Sequence, residues 1–258
     1  MRKFLIGLVS VSAVALTAAA AVEDTFPSEN RRFSGVAQEI GLAEGGSWQL
    51  TTLHGRVLAT GSAAEPGSVQ VLMEDLSPGA SIRARLTING RTLAEYKFYS
   101  FRQFHGIKAE YSLLPQPLAD AFTAMGLADP NLGRKEGEKF EKVAVRFTTV
   151  IPADFDELNR DEVKIIVVIP RKYELPMAIP QNFSKITLFP ADFSGVLSVI
   201  LDKGAQEVSS DGALGMIKVE FAAQPTLLLM TPDINIEDVN VVLAIKNSIQ
   251  KELEENEK

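Results

Sequence analysis

The sequence predicts a mainly β protein of the α+β class, built from antiparallel sandwich or barrel units with one short internal helix and a C-terminal helix. Three observations predict it. From Trp48 onward, short β-type runs alternate with Gly, Pro, Ser and Asn, the grammar of strands joined by turns. The run Lys164 to Ile169 is apolar without alternation, as a strand buried on both faces requires. Two stretches, after Gln116 and after Asn235, instead repeat apolar residues at helical spacing.

Met1 is followed by Arg2 and Lys3, an apolar run from Phe4 to Leu16 and small residues up to Ala21, the pattern of a secretory signal. Residues 1–21 are assigned to it. So short a run cannot comfortably cross roughly 30 Å of hydrocarbon, so the mature chain is expected to be exported, periplasmic or extracellular, and not membrane-spanning. Residues 22–46 lack a sustained apolar period apart from Val36, Ile40 and Leu42 and read as a leader or linker.

Residues 47–128 form the first unit, a β meander followed by a short helix. Its strand candidates are Gln49 to Leu53, Arg56 to Thr60, Val69 to Leu76, Ile82 to Ile88, Arg91 to Phe104 and Ile107 to Leu113. Asn89-Gly90 marks a hairpin. A strict two-residue loop continued without irregularity sets Ala84 against Glu95 and Ile82 against Lys97. A three-residue loop with a glycine bulge sets Ile82 against Tyr96 and Ala84 against Ala94, and is expected for that reason. Pro117 then opens a helix whose apolar face is Leu118, Ala121, Phe122 and Met125, ended by Gly126.

Residues 129–142 alternate charge with glycine and read as a solvated connection. Residues 143–258 form the second unit, with strands at Val143 to Ile151, Val163 to Ile169, Lys185 to Phe189, Gly195 to Leu201, Gly215 to Phe221 and Thr226 to Met230. Pro-Ala-Asp-Phe occurs at Pro152 to Phe155 and again at Pro190 to Phe193, which reads as a repeated strand exit. The terminal helix is expected to be capped by Asn235, with Val239, Val242, Leu243, Ile249 and Leu253 as its apolar set.

Cysteine is absent, which excludes disulfides, thiolate nucleophiles and cysteine-held metals. There are 26 Lys and Arg, two of them in the signal, against 33 Asp and Glu, so the mature chain has a net charge near −9. That balance disfavours phosphate-driven binding of nucleic acid.

His54 and His105 are each followed by glycine between two β runs, so turn chemistry explains both, against a reading as a metal or proton site. Ser248 and Lys251 have S-x-x-K spacing but fall in the terminal helix beside a charged tail. The acidic stretch Asp154, Asp156, Glu157, Asp161 and Glu162 lacks the spacing of a calcium loop, with Leu158 at the fifth position and Asn159 at the sixth. No phosphate-binding glycine motif or G-x-S-x-G elbow occurs. No cofactor, metal or catalytic residue is assigned.

The remaining feature is the aromatic run Phe98 to Phe104. In a strand, Tyr99 and Phe101 share a face with Glu95 and Lys97. They form an exposed aromatic patch if that face meets solvent, or core if the strand bends at Ser100. On these grounds the sequence predicts an exported, non-enzymatic binding or assembly module. It would hold a partner protein or envelope component through a β surface, with Tyr99 and Phe101 as candidate contacts. A carrier of an apolar small ligand and a carboxylate-based glycan hydrolase are the alternatives. The oligomeric state is open.

Overall fold

The computed structural model describes residues 26–150, 162–170, 183–188, 208–210, 216–221, 225–230 and 234–256. The expected mainly β, α+β class is what it shows. A five-stranded sheet has the order β1-β7-β6-β3-β4, from β1 (Arg31–Phe33), β3 (Gly46–Thr52), β4 (Val57–Ala63), β6 (Ser81–Ile88) and β7 (Arg91–Tyr99). A separate antiparallel pair joins β2 (Gln38–Leu42) to β5 (Gly67–Val71). Ile40, Leu42 and Val71 from the pair, with Met73, enclose one core with Trp48, Leu50, Ala84, Leu86, Ile88, Tyr96 and Phe98 from the larger sheet.

The segment read as a leader is therefore partly structural. Ile40 and Leu42 are buried while Glu39 and Gly41 are exposed, so their spacing is the period of a strand. The short β1 lies parallel to β7, with Phe33 opposite Tyr99.

The hairpin corrects the expected register. Ile88 pairs with Arg91 across a two-residue loop, with Asn89 at φ 48° and Gly90 at φ 80°, both positive as this turn needs. The register then shifts between Leu86 and Thr87, placing Leu86 opposite Ala94, Arg85 opposite Glu95 and Ala84 opposite Tyr96. A bulge does rescue the apolar face, but inside the strand at the exposed Leu93 rather than at the turn. Arg85 and Glu95 form an ion pair at 2.9 Å.

The second sheet has the order β12-β11-β13-β14-β10-β9-β8. Its strands are β8 (Ala109–Ser112), β9 (Val145–Thr148), β10 (Ile165–Val168), β11 (Phe183–Leu188), β12 (Val208–Ser210), β13 (Met216–Phe221) and β14 (Thr226–Met230). It is mixed rather than antiparallel: β8, β9, β10 and β14 run parallel, and only β13 reverses against its neighbours. Helix α1 (Gln116–Ala124) lies between β8 and β9 in the chain and returns it to the same end of the sheet, so the next strand is parallel. β8 and α1 thus belong with the second sheet, and residues 129–142 link two elements of one unit. β10 is central, and all four of its residues are buried, as the unalternated run requires.

Helix α2 (Val239–Asn256) buries Val239, Val242, Ile245 and Ile249 against Val145, Phe147, Ile165, Val167 and Leu228. Its cap is Asp238, whose Oδ1 accepts the Asn240 N–H at 2.8 Å. The expected cap, Asn235, accepts the Glu237 N–H at 3.0 Å, just before the helix. No helix among the described residues is long and apolar enough to cross a membrane. Both Pro-Ala-Asp-Phe copies, the strand expected at Gly195 to Leu201 and the acidic stretch up to Asp161 lie outside the described residues.

Candidate functional site

Phe33, Tyr99 and Phe104 extend from the first unit into the core of the second, and the chain around them forms a recess. Ser34 N–H donates to Tyr99 O at 2.8 Å and Gly35 N–H to Met73 O at 3.1 Å, folding the chain after β1 onto the end of β7. Gly35 sits at φ 77°, and a Cβ there would lie 2.7 Å from the Asp75 Cβ, so only glycine fits this turn.

Asp75 is the hub beneath it. Its Oδ1 accepts the Ser34 hydroxyl at 2.9 Å and the Phe101 N–H at 3.1 Å, and its Oδ2 accepts Arg102 Nε at 3.2 Å. Burial pushes this carboxyl up, but those three donors outweigh it and hold the group below its ordinary 3.8. Stability from this site is therefore present above about pH 3.8 and lost as pH falls through the lower folded value. Asp75→Asn is expected to be less stable at neutral pH and to lose less on acidification. Melting curves from pH 6 to pH 2 check this, and parallel pH profiles would refute it.

On one side of this turn, where β1, the β2–β5 pair and the approach to α2 meet, lies a polar cleft of about 720 Å³. Its lining includes Glu29, Arg31, Arg32, Glu39, Asp238 and Asn240. Beside it is a pocket of about 370 Å³ lined mainly by apolar groups of Phe33, Val36, Phe101, Ala121, Met125 and Ile236. Ala37, Gln38 and Glu237 line both, so the polar cleft and the apolar pocket adjoin along these three residues. The Phe33 and Phe101 rings meet edge to face at 5.5 Å.

The arginines of the polar cleft are held by main-chain carbonyls. Arg31 donates through Nε and Nη2 to Phe26 O at 3.0 and 2.6 Å, and through Nη1 to Asn240 Oδ1 at 3.2 Å. Asn240 Nδ2 donates in turn to Ser28 O at 3.1 Å, tying the N-terminal segment to α2. Arg32 donates to the carbonyls of Glu29, Arg31 and Glu39 at 2.6, 2.7 and 3.3 Å and lies over the Tyr96 ring at 5.5 Å.

Of the two candidate contacts, Phe101 is half-buried and lines the pocket, whereas Tyr99 is 6% exposed and packs in the second core. Tyr99 therefore belongs to no exposed aromatic patch: β7 turns Tyr96 and Phe98 into one core and Tyr99 into the other. His54 and His105 are exposed, each before a glycine of positive φ, 83° at Gly55 and 85° at Gly106. Neither lines the recess. Lys251 is exposed on α2. Glu162 bonds Lys142 at 2.6 Å.

Among the described residues, the trio with metal-ligand spacing is Glu220, Glu252 and Glu255, whose oxygens lie within 4.8 Å of one another. The Lys218 ammonium already contacts Glu220 and Glu252, so the cluster is an ion-pair network. Lys246 is pushed below its ordinary value by burial and donates to Gln103 Oε1 at 3.1 Å, away from both cavities.

Gln38, Glu237 and the β1 arginines are not legible as site residues in the sequence. The Arg31–Asn240 contact spans 209 positions, and no local spacing joins two such segments. No protein-family model matches this chain, and no curated protein is significantly similar to it.

Proposed function

We propose that the protein is an exported, non-enzymatic binding module that holds an envelope component, and that the two-part recess is its binding site. The observation that supports this is an apolar pocket adjoining a polar cleft, with Ala37, Gln38 and Glu237 lining both. Small-ligand sites are concave, mostly apolar and fitted with a few polar groups, at roughly 300–1,000 Å³. The apolar pocket, at about 370 Å³, falls in that range. The signal-like N-terminus supports export, and the acidic balance argues against nucleic acid as the ligand. An apolar pocket beside a polar cleft favours a small amphipathic molecule over a flat protein surface, which brings the reading close to a carrier.

Native mass spectrometry of the mature chain, purified after export without added ligand, tests this. The expected spectrum contains a retained small molecule that denaturation releases. Ala121→Phe, which fills the pocket from α1, is expected to yield the bare mass. A bare wild-type chain, or a ligand retained equally by the variant, would overturn the reading.

A further inference from the structure

We propose that the outer edge of β4 pairs with β4 of a second copy of this chain, two-fold and antiparallel, joining the two five-stranded sheets into one of ten strands. β4 ends its sheet and runs for seven residues, Val57–Ala63, without a charge or a proline. Among the described residues its main chain is hydrogen-bonded to β3 alone, so its outward N–H and C=O groups are left to water. None of its residues is buried, and Val57 is 50% exposed. A long uncharged edge of this kind is a template for another strand, and proteins that do not use one blunt it.

Two other edges show that blunting. β1, at the opposite end of the same sheet, is three residues long, and two of them are arginines. β8, at the edge of the second sheet, has its N–H groups taken: Ala109 donates to Ala128 O at 2.7 Å and Tyr111 to Asp129 Oδ2 at 3.2 Å. β4 has neither device. The bulge in its pairing with β3 falls at the Val57 end, and residues 59–63 pair regularly.

A second copy fits this edge because β4 is complementary to itself. Turned about Thr60, Val57 meets Ala63, Leu58 meets Ser62 and Ala59 meets Gly61, with Thr60 opposite its own copy. No charge faces a like charge, and Thr–Thr pairs across strands are favourable. Just outside the strand the same register brings Arg56 within one position of the partner's Glu65, at both ends of the interface. Both are exposed, and among the described residues neither side chain forms an ion pair within its own chain. β4 lines neither cavity, so this pairing and ligand binding in the recess stand or fall separately.

A seven-residue edge buries less than a standard interface of roughly 1,600 Å², so the dimer is expected to be weak. Sedimentation equilibrium of the mature chain from about 5 to about 500 µM, in physiological salt that screens its net negative charge, tests the pairing. The weight-average mass is expected to climb from that of one chain toward twice that value. Thr60→Lys and Thr60→Glu, at an exposed position, each set like charges opposite one another on the axis and should weaken the dimer by more than about tenfold. An equimolar mixture of the two should restore it, because each lysine then faces a glutamate. A variant that had merely misfolded would not be rescued in this way. A wild type of single-chain mass throughout would overturn the proposal. So would a dimer that both variants leave intact, or variants whose mixture stays monomeric.

Discussion

Phe122→Ala is expected to lower the unfolding free energy by about 3–5 kcal/mol, the range for emptying a fully buried aromatic position. Phe122 is 0% exposed, and with Ala119 it is one of two buried residues of α1. Its ring meets Phe104 edge to face at 5.7 Å and Phe147 of β9 at 5.0 Å. Phe147 in turn meets Tyr111 of β8 at 6.2 Å. Phe122 therefore seats the crossover helix directly on β9, and on β8 through Phe147. Denaturant titration measures the loss, and Phe122→Leu, which keeps much of the volume, should lose distinctly less. Because Ala121 and Met125 of this segment wall the pocket, the alanine variant should also release whatever the recess retains. A loss below about 1 kcal/mol would show that the helix is seated by other contacts.

Much of this architecture is legible in the sequence because its determinants are local. The unalternated β10 run, the proline-opened α1 and the apolar stripe of α2 each announce their burial within a few residues. The bulge in the hairpin is legible in kind, since an unbroken two-residue register would put Ala84 against Glu95. Its position is not, because a bulge at Leu93 satisfies the same apolar pattern as one at the turn. Strand direction in the second sheet is likewise hidden: periodicity fixes which faces are buried, and only the crossover through α1 makes β8 and β9 parallel. Tyr99 shows the same limit. Its alternation with Glu95 and Lys97 is real, but the face that a single sheet would turn to solvent is covered here by a second core. The recess is the least legible feature, since its walls come from β1, the β2–β5 pair, α1 and the approach to α2.

Lys218→Met is expected to cost about 3–5 kcal/mol, because it strands a buried charge rather than because the ion pair is itself worth so much. The Lys218 side chain is 12% exposed and that of Glu252 is 5% exposed. The ammonium contacts Glu220 Oε1 at 2.6 Å and also Glu252 Oε1. The other Glu252 oxygen accepts the Thr226 hydroxyl at 3.1 Å, so the carboxylate near the end of α2 is held to both β13 and β14. With lysine gone, Glu252 must stay charged without a counterion, bind a proton or pull the helix end outward, and each alternative costs free energy. Lys218→Met/Glu252→Met removes both charges and should recover most of the loss, as apolar replacements of buried pairs commonly do. The pH dependence gives an independent check. Burial works against the ammonium, but hydrogen bonds and charge from Glu220 and Glu252 outweigh it and raise Lys218 above its ordinary 10.5. A folded value above the unfolded one means that the stabilisation is whole below about pH 10.5 and fades as pH rises through the folded value. Denaturant titrations between pH 8 and pH 11.5 should therefore show the wild type losing more stability than the double variant. Equal alkaline slopes, or a Lys218→Met protein as stable as the wild type, would mean that Glu252 finds water and that the end of α2 is not seated by this pair.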